Sequence, residues 1–279
     1  MEQCLNIETL KIAKEELRED EETRNNALNQ MRLWLKQNKK IIHSRSDDNF
    51  LLRFLRAKKF SLPLAQEALE RYLLLRQTFG RQLFNELDIT CPRLEKLLEL
   101  GYIFVVPKRD KNGRRIIITR PGVFNPSIWT NAEMCRMHGV TYETLMEDQE
   151  NQRTLPMRHK EIYGVNVPLS LKFALDFGMT LISEKIRSRV KIFSSIEESH
   201  TYVDKSLLPK EYGGEMEMST MIGLWKQELL EKREQILKNE KMSVREDMFS
   251  EGARQGRVSA LTNHSHHHMV GSFRQLTVD

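Results

Sequence analysis

Asp47 to Arg76 reads DDNFLLRFLRAKKFSLPLAQEALERYLLLR, and Leu207 to Glu215 reads LLPKEYGGE. In the first stretch, Ser46 or Asp47 can cap a helix with Phe50, Leu51, Phe54 and Leu55 on one face, Arg53 and Arg56 being turned away. Ser61 followed by Pro63 starts a second helix, whose apolar stripe is Leu64, Ala65, Ala68, Leu69 and Tyr72. Upstream, Ile7, Leu10, Ala13 and Leu17 repeat at helical spacing, as do Leu28, Met31 and Leu35. The front of the chain is therefore expected to be a helical bundle.

Beyond Cys91-Pro92 the pattern changes. Tyr102 to Val106 and Arg115 to Thr119 are short β-branched runs joined through Asp110-Lys111-Asn112-Gly113, the signature of a hairpin. A helix is expected from Asn131 to Gln149, a strand from Ile162 to Val167, a long helix from Leu169 to about Ile186 and a strand from Val190 to Ile196. Strands alternating with helices indicate an α/β fold with helices packed on a sheet. Lys226 to Met242 reads as a solvated helix rich in Lys and Glu.

Composition bounds the function. The 279 residues are 39% hydrophobic, enough for one sizeable core with a satellite domain. No uncharged apolar run is long enough to span a bilayer. Three scattered cysteines (Cys4, Cys91, Cys135) offer no zinc spacing and fit a reducing compartment, and the acidic N-terminus is unlike a secretory signal, so a cytoplasmic protein is expected. Asp110 does not open a calcium loop, because Pro121 stands where the twelfth-position glutamate belongs. His264, His266, His267 and His268 read as a polar tail. Neither G-x-S-x-G nor a Walker pattern is present, and no constellation for general acid–base or covalent catalysis emerges, so no enzyme, cofactor or metal is expected. A basic pI near 9.0 raises a nucleic-acid-binding module as a third reading, but basic residues interleaved with stacking aromatics are lacking, so no nucleic acid is expected.

The net charge of +5 is unevenly spread. Glu15, Glu16, Glu19, Asp20, Glu21 and Glu22 make the front acidic, whereas Arg153, Arg158, Lys160, Lys172, Lys185, Arg187, Arg189 and Lys191 face only Glu161, Asp176 and Glu184. Such a segment attracts phosphates. Inside it, Leu169 to Ile182 is apolar around most of its circumference and is followed directly by Lys185, Arg187 and Arg189. A helix of that kind needs a second apolar partner: another helix, a bound lipid or a membrane.

FLLRFLRA-K-KF (Phe50 to Phe60), the Asp110–Gly113 hairpin, TLPMRHKEIYGVNVP (Thr154 to Pro168), SEKIRSRVKIF (Ser183 to Phe193) and LLPKEYGGE together resemble the CRAL-TRIO lipid-binding family, in its tocopherol- and retinoid-carrying branch. The terminal GSFRQLTVD is similar to arthropod members. The resemblance implies an N-terminal helical domain (1–85), an α/β domain with a mixed sheet and an apolar pocket (86–225), and a C-terminal helix and tail (226–279). It implies a gate helix at Leu169 to Ile182 with Phe173, Phe177 and Leu181 toward the ligand, and a pocket wall at Cys135, Gly139 and Tyr142. It implies phosphoinositide binding by Arg158, Lys160, Lys185 and Arg189, with Lys58 at a further basic position. The partners implied are a tocopherol- or retinoid-like molecule and a phosphoinositide membrane of the endosomal or Golgi type, met by a monomer. One strand-plus-helix unit of the family, about 30 residues, has no counterpart between Gln152 and Arg153. An incomplete pocket leaves the alternative of a phosphoinositide-binding regulatory or scaffolding protein without cargo.

Overall fold

The structure, a computed structural model, describes residues 17, 19–80, 84–148, 151–152, 160–167, 179–180 and 182–254. The first core is helical, as the spacing predicts. Helix α1 (Glu21–Gln37) is capped by Asp20, which accepts from the Thr23 N–H at 2.7 Å. A short strand β1 (Ile41–His43) leads to α2 (Asp48–Ala57), where Asp47 accepts from the Phe50 N–H at 3.0 Å. Helix α3 (Leu62–Thr78) follows, with a proline in its first turn. Leu28, Met31, Phe50, Leu51, Leu55, Ala65 and Leu69 are sealed between these helices. Phe54 sits edge-on to both Phe50 (5.3 Å) and Tyr72 (5.4 Å), the arrangement that ring quadrupoles favour.

A second core is built by α4 (Pro92–Glu99), the hairpin β2 (Ile103–Val105) and β3 (Ile117–Thr119), and α5 (Asn131–Met146). The hairpin pairs Ile103 with Thr119 and Val105 with Ile117. Its connection turns where the sequence places it: Asp110 accepts from the N–H groups of Asn112 (2.9 Å) and Arg114 (2.7 Å), and Gly113 takes the left-handed φ of 73°. Helix α5 opens with a reciprocal capping box between Thr130 and Glu133. The Arg93 guanidinium on Glu133 holds that carboxyl down at about 2.

The strand β4 (Ile162–Gly164) pairs in parallel with β5 (Val190–Ile192), the latter preceded by the single-turn helix α6 (Glu184–Arg187) and followed by α7 (Ile196–Ser199). The fold is thus mixed α/β but mostly helical. The described strands form three separate two-stranded ladders, where one mixed sheet is expected. Between Gln152 and β4 the sequence has nine residues, fewer than the roughly 30 of a strand-plus-helix unit that could join the ladders.

Two further expectations are corrected. Lys226 to Met242 is not a solvated helix. Helix α8 (Met218–Lys238) runs through it and buries Met221, Trp225, Leu229 and Ile236 in the second core, its Lys and Glu residues covering only the outer side. From its end the chain crosses to the first core, where β6 (Ser243–Val244) pairs with β1 and Met242 and Val244 are buried. A last turn, α9 (Glu251–Arg254), packs near α3.

Nor do Arg53 and Arg56 turn away to solvent: they are 6% and 0% exposed. Glu143 on α5 and Glu147, the C-cap one turn later, meet Arg53 across the boundary between the cores. Glu143 accepts from Arg53 (3.0 Å), Arg76 (2.8 Å), the Tyr72 hydroxyl (2.7 Å) and Asn239 (3.1 Å). Glu147 accepts from Arg45 (2.6 Å), Asn49 (2.9 Å) and Arg53. Arg56 forks onto Glu19 (2.7 and 2.9 Å) and donates to Gln152 (2.8 Å). Burial alone works to raise the Glu147 carboxyl, and Arg53 and Arg45 outweigh it, so the group stays ionised below the usual carboxylate range. A layer of this kind adds little net stability over an apolar one, but removing one partner from it leaves a buried charge uncompensated.

The LLPKEYGGE segment is architectural. Leu207 and Leu208 are buried, Lys210 N–H donates to Met216 O (2.7 Å), and the Glu211 carboxylate accepts from the Met218 N–H (3.0 Å), capping α8. Gly213 needs a φ of 91°, and a Cβ on Gly214 would lie 1.7 Å from the Leu208 oxygen.

Candidate functional site

The parallel pairing of β4 and β5 decides which cations meet. Parallel strands begin at the same end. The Ile162 N–H donates to Arg189 O at 2.8 Å, and Ile162 pairs with Val190. Lys160, two residues before β4, and Lys185 and Arg189, just before β5, are therefore brought to one edge. Lys185 is exposed; Lys160 and Arg189 are half-buried. Ser183 precedes α6 in extended backbone, and its carbonyl accepts from the N–H groups of Ile186 (3.0 Å) and Arg187 (2.9 Å), closing the single turn that carries the cluster.

Apolar side chains surround this edge. Ile162, Ile186 and Ile192 are exposed, and Tyr163, Phe193 and Tyr202 form a ring cluster with centroids 5.3 to 6.3 Å apart. Lys191 caps the Tyr202 ring at 3.7 Å. The Tyr163 hydroxyl donates to Glu161, and Glu161 reaches Arg114 of the hairpin connection at 3.4 Å. Burial and that carboxylate push the Tyr163 phenol up to about 12. Arg187, counted with the cations from sequence, is engaged in holding backbone: it donates to Met179 O (2.8 Å) and Ile182 O (3.3 Å).

The remaining basic positions fall elsewhere. Arg158 lies outside the described residues. Lys58 forms the C-terminal cap of α2 in the helical bundle, and no hydrogen bond or ion pair among the described residues joins it to Lys160, Lys185 or Arg189.

On α5, Cys135, Gly139 and Tyr142 share a half-buried face, opposite the buried Met137, Val140 and Thr144. His138 lies on that face too. It stacks on Tyr142 (6.3 Å, 21°) and is hydrogen-bonded to the Tyr102 hydroxyl at 3.0 Å. Burial lowers the His138 pKa and raises those of Tyr102 and Tyr142. Phe173, Phe177 and Leu181, with most of the expected gate helix, lie outside the described residues. Two clefts, of about 360 Å³ beside Trp34, Lys40 and Glu70 and about 300 Å³ beside Arg76, Gln77 and Asn239, do not border Cys135, Gly139 or Tyr142.

Among the described residues no group of three His, Cys, Asp or Glu could hold a metal, and no helix is long and apolar enough to cross a membrane. What the sequence reading missed is the buried ionic layer. Its signal was present: Glu143 and Glu147 interrupt a helix whose neighbouring positions are Val140, Thr144 and Leu145, and Asn49 and Arg53 repeat the same one-turn spacing on α2.

Comparison with known proteins bears on the whole arrangement. The CRAL/TRIO N-terminal domain matches residues 9–71, and the CRAL/TRIO domain matches residues 149–214. The alpha-tocopherol transfer protein-like protein of Homo sapiens is 28% identical over 237 residues, covering 72% of this chain and 68% of that protein. Clavesin-1 of Xenopus laevis is 26% identical over 261 residues (81% and 78%), and Clavesin-2 of Homo sapiens 25% over 262 (81% and 80%). For the first, 72% of 279 residues is about 201, so roughly 36 of the 237 aligned positions have no residue here, the size of one strand-plus-helix unit. The chain thus carries a CRAL/TRIO domain match behind a CRAL/TRIO N-terminal domain match and is a distant homologue of alpha-tocopherol transfer protein-like protein and the clavesins.

Proposed function

We propose that this chain is a non-enzymatic carrier that binds one small hydrophobic molecule and docks on phosphoinositide-bearing membranes through Lys160, Lys185 and Arg189, with Arg158 assigned the same role from the sequence. CRAL/TRIO domain proteins generally bind small lipophilic molecules, and the named relatives set tocopherol-like compounds as the first cargo to test. What supports the docking half is the parallel register, which sets Lys160 and Arg189 at the start of one strand pair with Lys185 on the turn before it, together with the exposure of Ile162, Ile186 and Ile192 along that pair. Headgroup phosphates take the cations while the isoleucines enter the interface, a combination of charge and inserted apolar area that peripheral membrane proteins use. On the cargo side we assign Cys135, Gly139 and Tyr142 to one wall and Phe173, Phe177 and Leu181 to the covering segment, whose displacement at the membrane releases the ligand. Lys58 stands apart as an accessory contact from the bundle. Replacing Arg158, Lys160, Lys185 and Arg189 together by Ala is expected to abolish sedimentation with phosphoinositide vesicles; undiminished binding rejects the docking site.

A second reading, a cargo-free phosphoinositide-binding regulator or scaffold, is favoured by the roughly 36 alignment positions without a counterpart. Native mass spectrometry after exposure to lipid extract separates the two: the carrier shows a bound small molecule, the scaffold none.

A further inference from the structure

Ser188 stands at the centre of the cation cluster. Lys185, Arg187, Arg189 and Lys191 lie at three residues before, one before, one after and three after it. It is exposed, and it ends a single-turn helix that buries no residue. Its hydroxyl donates within the same turn, to Lys185 O at 3.1 Å. One isolated turn has little stability of its own, and with no buried side chain to extract it opens at small cost. The backbone from residue 183 to 189 can thus enter the extended groove of an enzyme that acts on side chains.

We propose that Ser188 is a phosphorylation site for a basophilic serine kinase, and that the phosphate turns off docking of this cluster on anionic headgroups. The second half rests on the docking reading above. In the transfer, the Ser188 Oγ attacks the γ-phosphorus of ATP, the bond to the β,γ-bridging oxygen breaks, ADP leaves with that electron pair, and the hydroxyl proton passes to the kinase's carboxylate base. The product carries a charge of about −1.5 to −2 amid Lys185, Arg187 and Arg189. Arg187 now bonds neutral carbonyls at Met179 and Ile182, and a phosphate competes well for it because charge-assisted bonds are about twice as strong. A lipid phosphate arriving from outside then finds these cations neutralised and a like charge among them. If two cations are lost to the surface at about 1 kcal/mol each, vesicle affinity falls about 30-fold.

Two other serines also have a lysine three residues before them: Ser61, half-buried at the start of α3, and Ser194, whose N–H donates to Glu198 at 2.9 Å. They serve as internal competitors. The full chain is treated with the catalytic domain of a protein kinase C-class enzyme and Mg-ATP, mapped by mass spectrometry, and sedimented with phosphatidylcholine vesicles with and without phosphatidylinositol bisphosphate. Ser188→Ala is carried in parallel, its folding checked by circular dichroism. Phosphate on Ser188 with about 30-fold weaker binding, and neither change in Ser188→Ala, is the expected result. Phosphate confined to Ser61 or Ser194, no phosphate at all, or a phosphorylated Ser188 with unchanged binding overturns the proposal. A chain that fails to bind before any kinase is added brings down the docking reading and this switch together, and that failure is visible in the untreated sample.

Discussion

Two groups of basic residues in this chain look alike in sequence and differ in everything the fold does with them. Arg45, Arg53, Arg56 and Arg76 are enclosed between the helical bundle and the α5–α8 body, each facing a carboxylate at fixed geometry. Lys160, Lys185 and Arg189 are gathered at the open end of β4–β5 beside exposed isoleucines. A desolvated guanidinium held against a buried carboxylate is committed to that partner, because separating the two leaves a charge buried and unpaired. A cation at a wet, apolar-rimmed edge can exchange its partners for a phosphate at small cost. Charge counted along the sequence cannot separate the two, and burial does.

The comparison is broken most forcefully on its buried side. Glu143→Ala removes the acceptor shared by Arg53, Arg76, Tyr72 and Asn239, leaving the buried Arg76 without a carboxylate and Arg53 with Glu147 alone, so urea unfolding should show a loss of about 3–5 kcal/mol. On the exposed side, Lys160→Ala, Lys185→Ala and Arg189→Ala combined should weaken vesicle binding about 100-fold, from about 1 kcal/mol per cation, while unfolding stays within about 0.5 kcal/mol of the parent. A triple variant that loses stability like Glu143→Ala would erase the distinction between the two groups. Gly214→Ala tests the LLPKEYGGE turn as architecture: its Cβ must displace the Leu208 carbonyl, lowering stability by about 1–3 kcal/mol in thermal melts without a selective loss of vesicle binding.

The smallest expected effect concerns the α5 face. Burial holds the folded-state pKa of His138 below its ordinary value near 6.5. Below that ordinary value the unfolded chain binds the proton more readily than the folded one, so stability falls as pH drops through this window and levels off once the folded group is protonated too. Melting temperatures at pH 7.5, 6.5 and 5.5 should therefore decline less in His138→Gln than in the parent. Equal slopes would assign the acid sensitivity to other groups.

Much of the fold was legible. The helix starts at Asp47 and Ser61 follow from capping chemistry and a first-turn proline, and the hairpin follows from β-branched runs flanking Asn112-Gly113. The likeness to CRAL/TRIO proteins was legible through five ordered motifs, although one of them, LLPKEYGGE, proves to be a helix cap and a tight turn whose residues are architectural. The solvated reading of residues 226–242 failed because alternating Lys and Glu hide the stripe of Trp225, Leu229 and Ile236, spaced four and seven residues apart. The site was legible only as a list of cations.

Local chemistry, then, set what a single segment can know: where helices and turns begin, which runs are apolar, and which family the motifs belong to. Only the tertiary structure decided that Arg53 and Arg56 are interior while Lys185 and Arg189 are at a surface, and that the strand pair leaves Ser188 among the cations. The physical reason is that a charge's energy depends on its solvent and its partners, and these are supplied by Glu143, 90 positions away, for Arg53, by Glu19 and Gln152, 37 and 96 positions away, for Arg56, and by a neighbouring strand for Arg189.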